Sequence, residues 1–112
     1  MAIDPGAAAM MRDDLSALDG VSEKKMFGGM GFMRDGHMLT GVMSTGALLY
    51  RVGKPRQDHA LALPGVSLME HGGRRMGGFV MLSGAAQADD ELRTELLSLA
   101  LDNAAELPAK EV

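Results

Sequence analysis

Glycine-rich turn signals divide the middle of this chain into short apolar runs. Asp35-Gly36 and Gly72-Gly73 are pairs that favour tight hairpin turns, and Gly46 marks a further turn between two apolar runs. Short apolar runs bounded by such turns are typical of β-strands. The sequence therefore predicts a sheet of antiparallel strands through the middle of the chain.

Five strands follow from the positions of these turns. The first is predicted over residues 24–33, where apolar side chains are interrupted by Gly28, Gly29 and Gly31. Glycines inside a strand permit a bulge or the close approach of another backbone. Two further strands complete a meander, and a second hairpin supplies the last two. These four strands are predicted over residues 37–43, 47–52, 66–71 and 74–82.

Three helices are predicted around these strands. Asp4-Pro5 is a helix-start signal and Gly20 supplies a left-handed stop, so we expect a first helix over residues 5–19. Pro55 opens a short second helix over residues 56–63, and the acidic residues 89–91 suit the positive end of a third. Apolar residues at helical spacing are Ala8, Met11, Leu15 and Leu18 in the first helix and Leu92, Leu96, Leu99 and Ala100 in the last.

These elements predict an α+β fold. The order α-β3-α-β2-α favours a two-layer domain in which an antiparallel five-stranded sheet carries its helices on one face. The length of 112 residues fits one domain over residues 1–112, with a core at about 5–106.

The composition indicates the cellular compartment of this domain and limits the partners that it can bind. The chain has no Cys, which excludes disulfides, Cys-based zinc sites and thiol chemistry and fits a reducing cytoplasm. No secretion signal and no run of 18 apolar residues is present, so we expect a cytoplasmic protein without membrane contact. The net charge of −4 disfavours direct nucleic-acid binding.

None of the candidate motifs for catalysis or for a cofactor has the residues that its chemistry requires. The glycines at positions 28–31 miss the dinucleotide fingerprint, because Arg34 stands where a glycine is required. Gly53-Lys54 is followed by Pro55 instead of the Ser or Thr of a phosphate loop. The three histidines show no ligand spacing, and no serine lies in a nucleophile elbow. We therefore expect no catalytic residue, no metal and no cofactor, and a protein that is not an enzyme.

Two candidate binding surfaces remain. Basic residues on neighbouring predicted strands suggest either a patch that docks an acidic partner or edge charge that prevents aggregation: Lys24, Lys25, Arg51, Arg74 and Arg75. Leu97 and Leu101 widen the apolar face of the last helix, so this helix is either deeply buried or meets another subunit. Together with Phe79 they form the candidate dimer surface. Methionine is often buried and fills irregular gaps, so we expect the eleven methionines mainly in the core. The less favoured interpretation is an adaptable binding surface.

Several segments resemble the N-terminal domain of the TfoX (Sxy) family over about residues 21–105. They are Lys25-Met26-Phe27-Gly28-Gly29-Met30-Gly31, Asp35-Gly36, Leu49-Tyr50 and Gly73-Arg74-Arg75-Met76. The resemblance implies a bacterial cytosolic protein with the α-β3-α-β2-α fold of secretion chaperones. It also implies kinship with regulators of competence for DNA uptake. Those regulators carry a further C-terminal domain, so the resemblance is to a stand-alone form.

The resemblance supplies no catalytic residues. It marks a structural signature instead: Met26, Phe27, Gly28, Gly29, Asp35, Gly36 and Tyr50. The leading hypothesis is a non-enzymatic regulatory or protein-interaction domain, with a protein partner still to be identified and a homodimer expected. One alternative is a small-molecule binder or minor enzyme, with a pocket lined by Met and Tyr50. The other is a direct nucleic-acid binder that uses the basic residues above.

Overall fold

The computed structural model describes residues 5–26, 28–71 and 74–107, with only the backbone given for residues 26, 71 and 74–76. Three α-helices, six β-strands and one 3-10 helix lie in these ranges. In chain order they are α1 (Pro5–Asp14), β1 (Ser22–Met26), β2 (Gly29–Arg34), β3 (His37–Val42), β4 (Leu48–Arg51), α2 (Lys54–Leu61), β5 (Val66–His71), β6 (Arg74–Leu82), the 3-10 helix Gly84–Ala88, and α3 (Asp90–Glu106).

The six strands form a single antiparallel sheet in the order β1-β2-β3-β4-β6-β5. The predicted α+β class with an antiparallel sheet is confirmed. The predicted number of five strands is wrong, because residues 24–33 form parts of two strands instead of one long one. The order of elements is therefore one helix, four strands, a helix, two strands and a final helix.

The chain reverses at the glycines that the sequence places inside a strand. Gly28 has φ +74°, a left-handed conformation that favours glycine, and Met26 pairs with Gly29 across the reversal. The connection is thus two residues long, as in a tight hairpin. Gly29 does make the predicted close approach: an added Cβ would overlap the backbone oxygen of Val42 and lie 3.1 Å from the Cα of Met43.

The other predicted hairpins are confirmed. Arg34 pairs with His37, and the two residues between them have φ of +54° and +81°, as the mirror-image type I turn requires. His71 pairs with Arg74 in the second hairpin, whose two turn residues, 72 and 73, lie outside the described residues.

All three helices pack on one face of the sheet, as predicted. Each contributes to a single buried apolar cluster, for example with Met11, Ala60 and Leu96, and the sheet contributes Tyr50 and Val80 to the same cluster. The predicted stripe of the first helix is buried at Ala8, Met11 and Leu15, although α1 itself ends at Asp14. Leu97 and Leu101 are half-buried and pack against the core.

The start of α3 follows the predicted cap. The carboxylate of Asp89 accepts hydrogen bonds from the backbone N–H groups of Glu91 and Leu92. The 3-10 helix just before it was not predicted from the sequence. Gln87 fixes that turn by donating to the carbonyls of Gly46 and Leu82, which anchors it to the end of the sheet.

Within the described residues, no helix combines the length and the apolar character needed to cross a membrane.

Gly29→Ala tests the close approach of β2 to β3. We expect a loss of about 2–3 kcal/mol in the free energy of unfolding, because the methyl group overlaps backbone that cannot move without breaking the ladder. Gly20→Ala is the control: Gly20 has φ +76° and open space around it, so only the backbone conformation costs energy, about 1 kcal/mol. Urea unfolding measures both. Equal losses would contradict the overlap.

Candidate interaction surface

The face of the sheet turned away from the helices carries its own apolar surface. Side chains alternate along a strand, so Leu48 and Tyr50 of β4 enter the core while Leu49 and Arg51 lie on the opposite face. On β6, Met81 lies opposite Leu49 and Phe79 lies opposite Arg51. The guanidinium carbon of Arg51 stands 5.5 Å from the centre of the Phe79 ring, which places both on this face.

The same face continues across β3, β2 and β1. Gly41 pairs with Leu49, Gly31 with Gly41, and Lys24 with Gly31, which gives one row of residues across the sheet. Met38 pairs with Met33, and its terminal methyl lies 2.8 Å from the place that a Gly41 Cβ would take. We call this surface the open face: Lys24, Gly31, Met33, Met38, Gly41, Leu49, Arg51, Phe79 and Met81.

Methionines shield the centre of the open face. Leu49 is only 2% exposed although it lies outside the main core cluster. The side chains around it on this face are the half-buried Met38 and Met81. Of the eight methionines with described side chains, only Met11 and Met69 are buried. Most of these methionines therefore lie at the edge of the core or on the open face, and few lie in the core interior.

The predicted basic patch is divided between the two sides of the sheet. Lys24 lies on the open face with Arg51, but three strand spacings, about 14 Å, separate their strands. Lys25 pairs with Met30 and lies on the helix side. Arg74 and Arg75 lie on β6 beside Glu70 and His71 of β5, and their side chains are outside the described residues.

The three residues of the predicted dimer surface are not brought together. Phe79 is half-buried on the open face. Leu97 and Leu101 lie on α3, in the helical layer on the other side of the sheet. The three residues therefore do not form one continuous surface.

The signature residues have structural positions. Gly28 and Gly29 form the β1–β2 reversal together with Met26, and Asp35 and Gly36 form the β2–β3 turn. Phe27 lies outside the described residues.

Tyr50, the last signature residue, is 1% exposed and lies in the packed core, where it pairs with Thr40 of β3. Neither its hydroxyl nor that of Thr40 has a hydrogen-bond partner among the described residues. Burial raises the pKa of the Tyr50 hydroxyl well above its ordinary value. The negative charge of Asp14 adds to this increase in pKa, and the positive charge of Arg93 partly offsets it.

Arg93 connects α1, the 3-10 helix and α3, and no local signal in the sequence marks this role. Its Nε donates to Asp14 at 2.8 Å, one Nη donates to Asp90 at 2.5 Å, and the other Nη donates to the carbonyl of Gln87 at 2.7 Å. The Arg93 side chain is 10% exposed and that of Asp14 20%. The hydrogen bond to Asp14 is the main cause that raises the pKa of Arg93. This cluster ties the end of α1 to the start of α3.

The described residues contain no group of three or more His, Cys, Asp or Glu side chains placed to hold a metal ion. His59 lies 3.2 Å from a carboxylate oxygen of Glu95 on the helical surface. His37 lies on β3 beside the turn, and the side chain of His71 is outside the described residues.

Together, the sheet, the one-sided helical layer and the open face define a small α+β domain in which no described helix covers the second face of the sheet. The model of the TfoX N-terminal domain family matches residues 13–104. This range is most of the chain, so the chain belongs to that family and the resemblance seen in the sequence is confirmed. No curated protein and no solved structure matches the chain.

The ionisation of Tyr50 gives a test of its burial. Burial raises the pKa of the Tyr50 hydroxyl in the folded state above the unfolded value of about 10. The unfolded chain therefore loses this proton first, so the contribution of Tyr50 to the free energy of unfolding is complete below pH 10 and is lost as the pH rises further. Tyr50 is the only tyrosine and the chain has no Trp, so tyrosinate absorbance near 295 nm reports this group alone. We expect that absorbance to rise only together with the loss of the circular dichroism signal.

Tyr50→Phe is the control for that titration. It should leave stability at pH 7 nearly unchanged, because the hydroxyl has no partner to lose among the described residues, and it should remove the part of the alkaline destabilisation that Tyr50 causes. A tyrosinate signal that rises near pH 10 in a folded chain would contradict the buried position.

Arg93→Ala should lower the free energy of unfolding by about 2–3 kcal/mol, because it removes charge-assisted hydrogen bonds and leaves the Asp14 carboxylate without its cation. Arg12→Ala is the matched control, since Arg12 pairs with Glu23 at 2.8 Å at an exposed position and should matter little. Urea unfolding of both variants measures the difference. If the two variants were equally stable, Arg93 would not have the connecting role described above.

Proposed function

We propose that this chain is a non-enzymatic regulatory domain that acts by binding another protein. The observation that carries the proposal is the open face, where the half-buried apolar side chains of Met38, Phe79 and Met81 are left uncovered by the helices in the described part of the chain. Contiguous apolar surface of this kind commonly marks a site of protein interaction. Membership of the TfoX N-terminal domain family supports a regulatory setting related to competence for DNA uptake in the bacterial cytoplasm.

The expected homodimer stays a prediction. Light scattering coupled to size exclusion measures it directly, since the chain mass is 11.8 kDa and a dimer has twice that mass. The position of Phe79 on one side of the sheet and of Leu97 on the other means that a dimer would use one of two separate surfaces.

Affinity purification from a bacterial lysate tests the proposed function. The full chain carries the tag, and the tag alone is the control. We expect at least one protein to be enriched above the control and to form a saturable complex with the chain when both are purified. If no protein were enriched and the chain were a monomer, the proposal would fail. Stabilisation by a metabolite in a thermal-shift screen would then favour the small-molecule alternative.

A further inference from the structure

The size of the open face limits what it can accommodate. Its apolar part spans four adjacent strands, from Met33 on β2 to Phe79 and Met81 on β6. At about 4.8 Å per strand and 3.4 Å per residue, this part measures about 19 by 17 Å, or roughly 300 Å². A stable dimer of standard size buries about 800 Å² on each partner. The apolar part alone has about the footprint of a short helix, and a second copy of the chain would have to bury polar surface around it as well.

The charge of the open face argues in the same direction. Lys24 lies on the edge strand β1 and Arg51 at the end of the inner strand β4, and none of the residues that define the open face is acidic. A second copy that docked through the same face would bring two more cations against these two, whereas a partner with carboxylates would pair with them.

The surface itself suits an apolar helix. Gly31 and Gly41 lie side by side without side chains, and the end of the flexible Met38 side chain occupies the space above Gly41. Methionine side chains repack at low cost and are used at adaptable binding surfaces. A helix is about 10 Å wide, and about 12 residues of helix span 18 Å, which matches the apolar part of the open face.

We propose that the open face binds one amphipathic helix of a partner protein, about three turns long, with acidic residues beside its apolar stripe. The apolar stripe covers Met33, Met38 and Met81, and the carboxylates pair with Lys24 and Arg51. This inference rests on the proposed protein-binding function and specifies the surface and the chemistry of the partner.

An unbiased selection tests this inference. A displayed library of 14-residue helical peptides, randomised at both apolar and polar positions, is selected against the full chain. We expect enriched peptides to carry apolar residues at positions i, i+3, i+4 and i+7, flanked by Asp or Glu. In the complex, the methyl NMR signals of Met33, Met38 and Met81 should shift, while that of Met11, which is buried in the core, should not.

Matched variants locate the binding site. Met81→Glu should weaken the selected peptides at least tenfold, whereas Ser98→Glu, which adds the same carboxylate at an exposed position of α3, should change binding less than twofold. Lys24→Glu combined with Arg51→Glu should also weaken them at least tenfold. Selection against that double variant should enrich basic flanks instead of acidic ones. Circular dichroism confirms that each variant is folded, and the exposed Lys24 keeps the test usable if Met81→Glu does not fold.

Each of the following results would overturn the inference. Peptides without acidic flanks, or peptides that bind all variants equally, would place recognition elsewhere. A stable wild-type dimer that Met81→Glu converts to a monomer would show that a second copy occupies the open face. If wild type and Met81→Glu captured the same lysate protein, the protein-binding function would still hold. Only the proposal that the open face is the binding site would fail. If neither a partner nor a peptide were found, both proposals would fail.

Discussion

Strand β4 is buried on both of its faces, and the rest of the domain is arranged around this constraint. Leu48 and Tyr50 are enclosed by the helical layer, whereas Leu49 is enclosed by methionines and by the neighbouring strands. Successive side chains of a strand point to opposite faces of the sheet. If β4 shifted by one residue, the side chains that now enter the core would face the open side, and those on the open side would enter the core. The register of β4 therefore decides both what the core contains and what the open face presents.

The two layers around β4 differ in how firmly they are held. On the helical side, Arg93 links α1 and α3 through two carboxylates and a carbonyl, and helix side chains fill the core. On the open side, no helix is present in the described part of the chain, and the cover consists of flexible thioether side chains. A fixed layer on one side with an adaptable surface on the other suits a domain that keeps its fold while it binds a partner.

Much of the fold could be predicted because it depends on local signals. The Asp35-Gly36 pair, the cap at Asp89 and the apolar stripe of α3 each act within a few residues and were confirmed. The first strand was predicted wrongly because Gly28 and Gly29 are compatible with either a bulge or a reversal. The structure resolves this choice: Gly28 takes a left-handed conformation and β1 pairs with β2, and the order of residue types does not show that pairing.

The candidate surface, like the fold, depends partly on short motifs and partly on contacts between distant parts of the chain. The sequence by itself determined the family, the α+β class, most strand positions and the lack of thiol chemistry, because these follow from composition and from short motifs. Only the tertiary structure placed Lys25 away from Lys24 and Arg51, and Phe79 away from Leu97. It alone also joined Arg93 to Asp14, 79 residues away. The physical reason is that strand pairing and helix packing set these distances, and both are decided by contacts between parts of the chain that are remote in sequence.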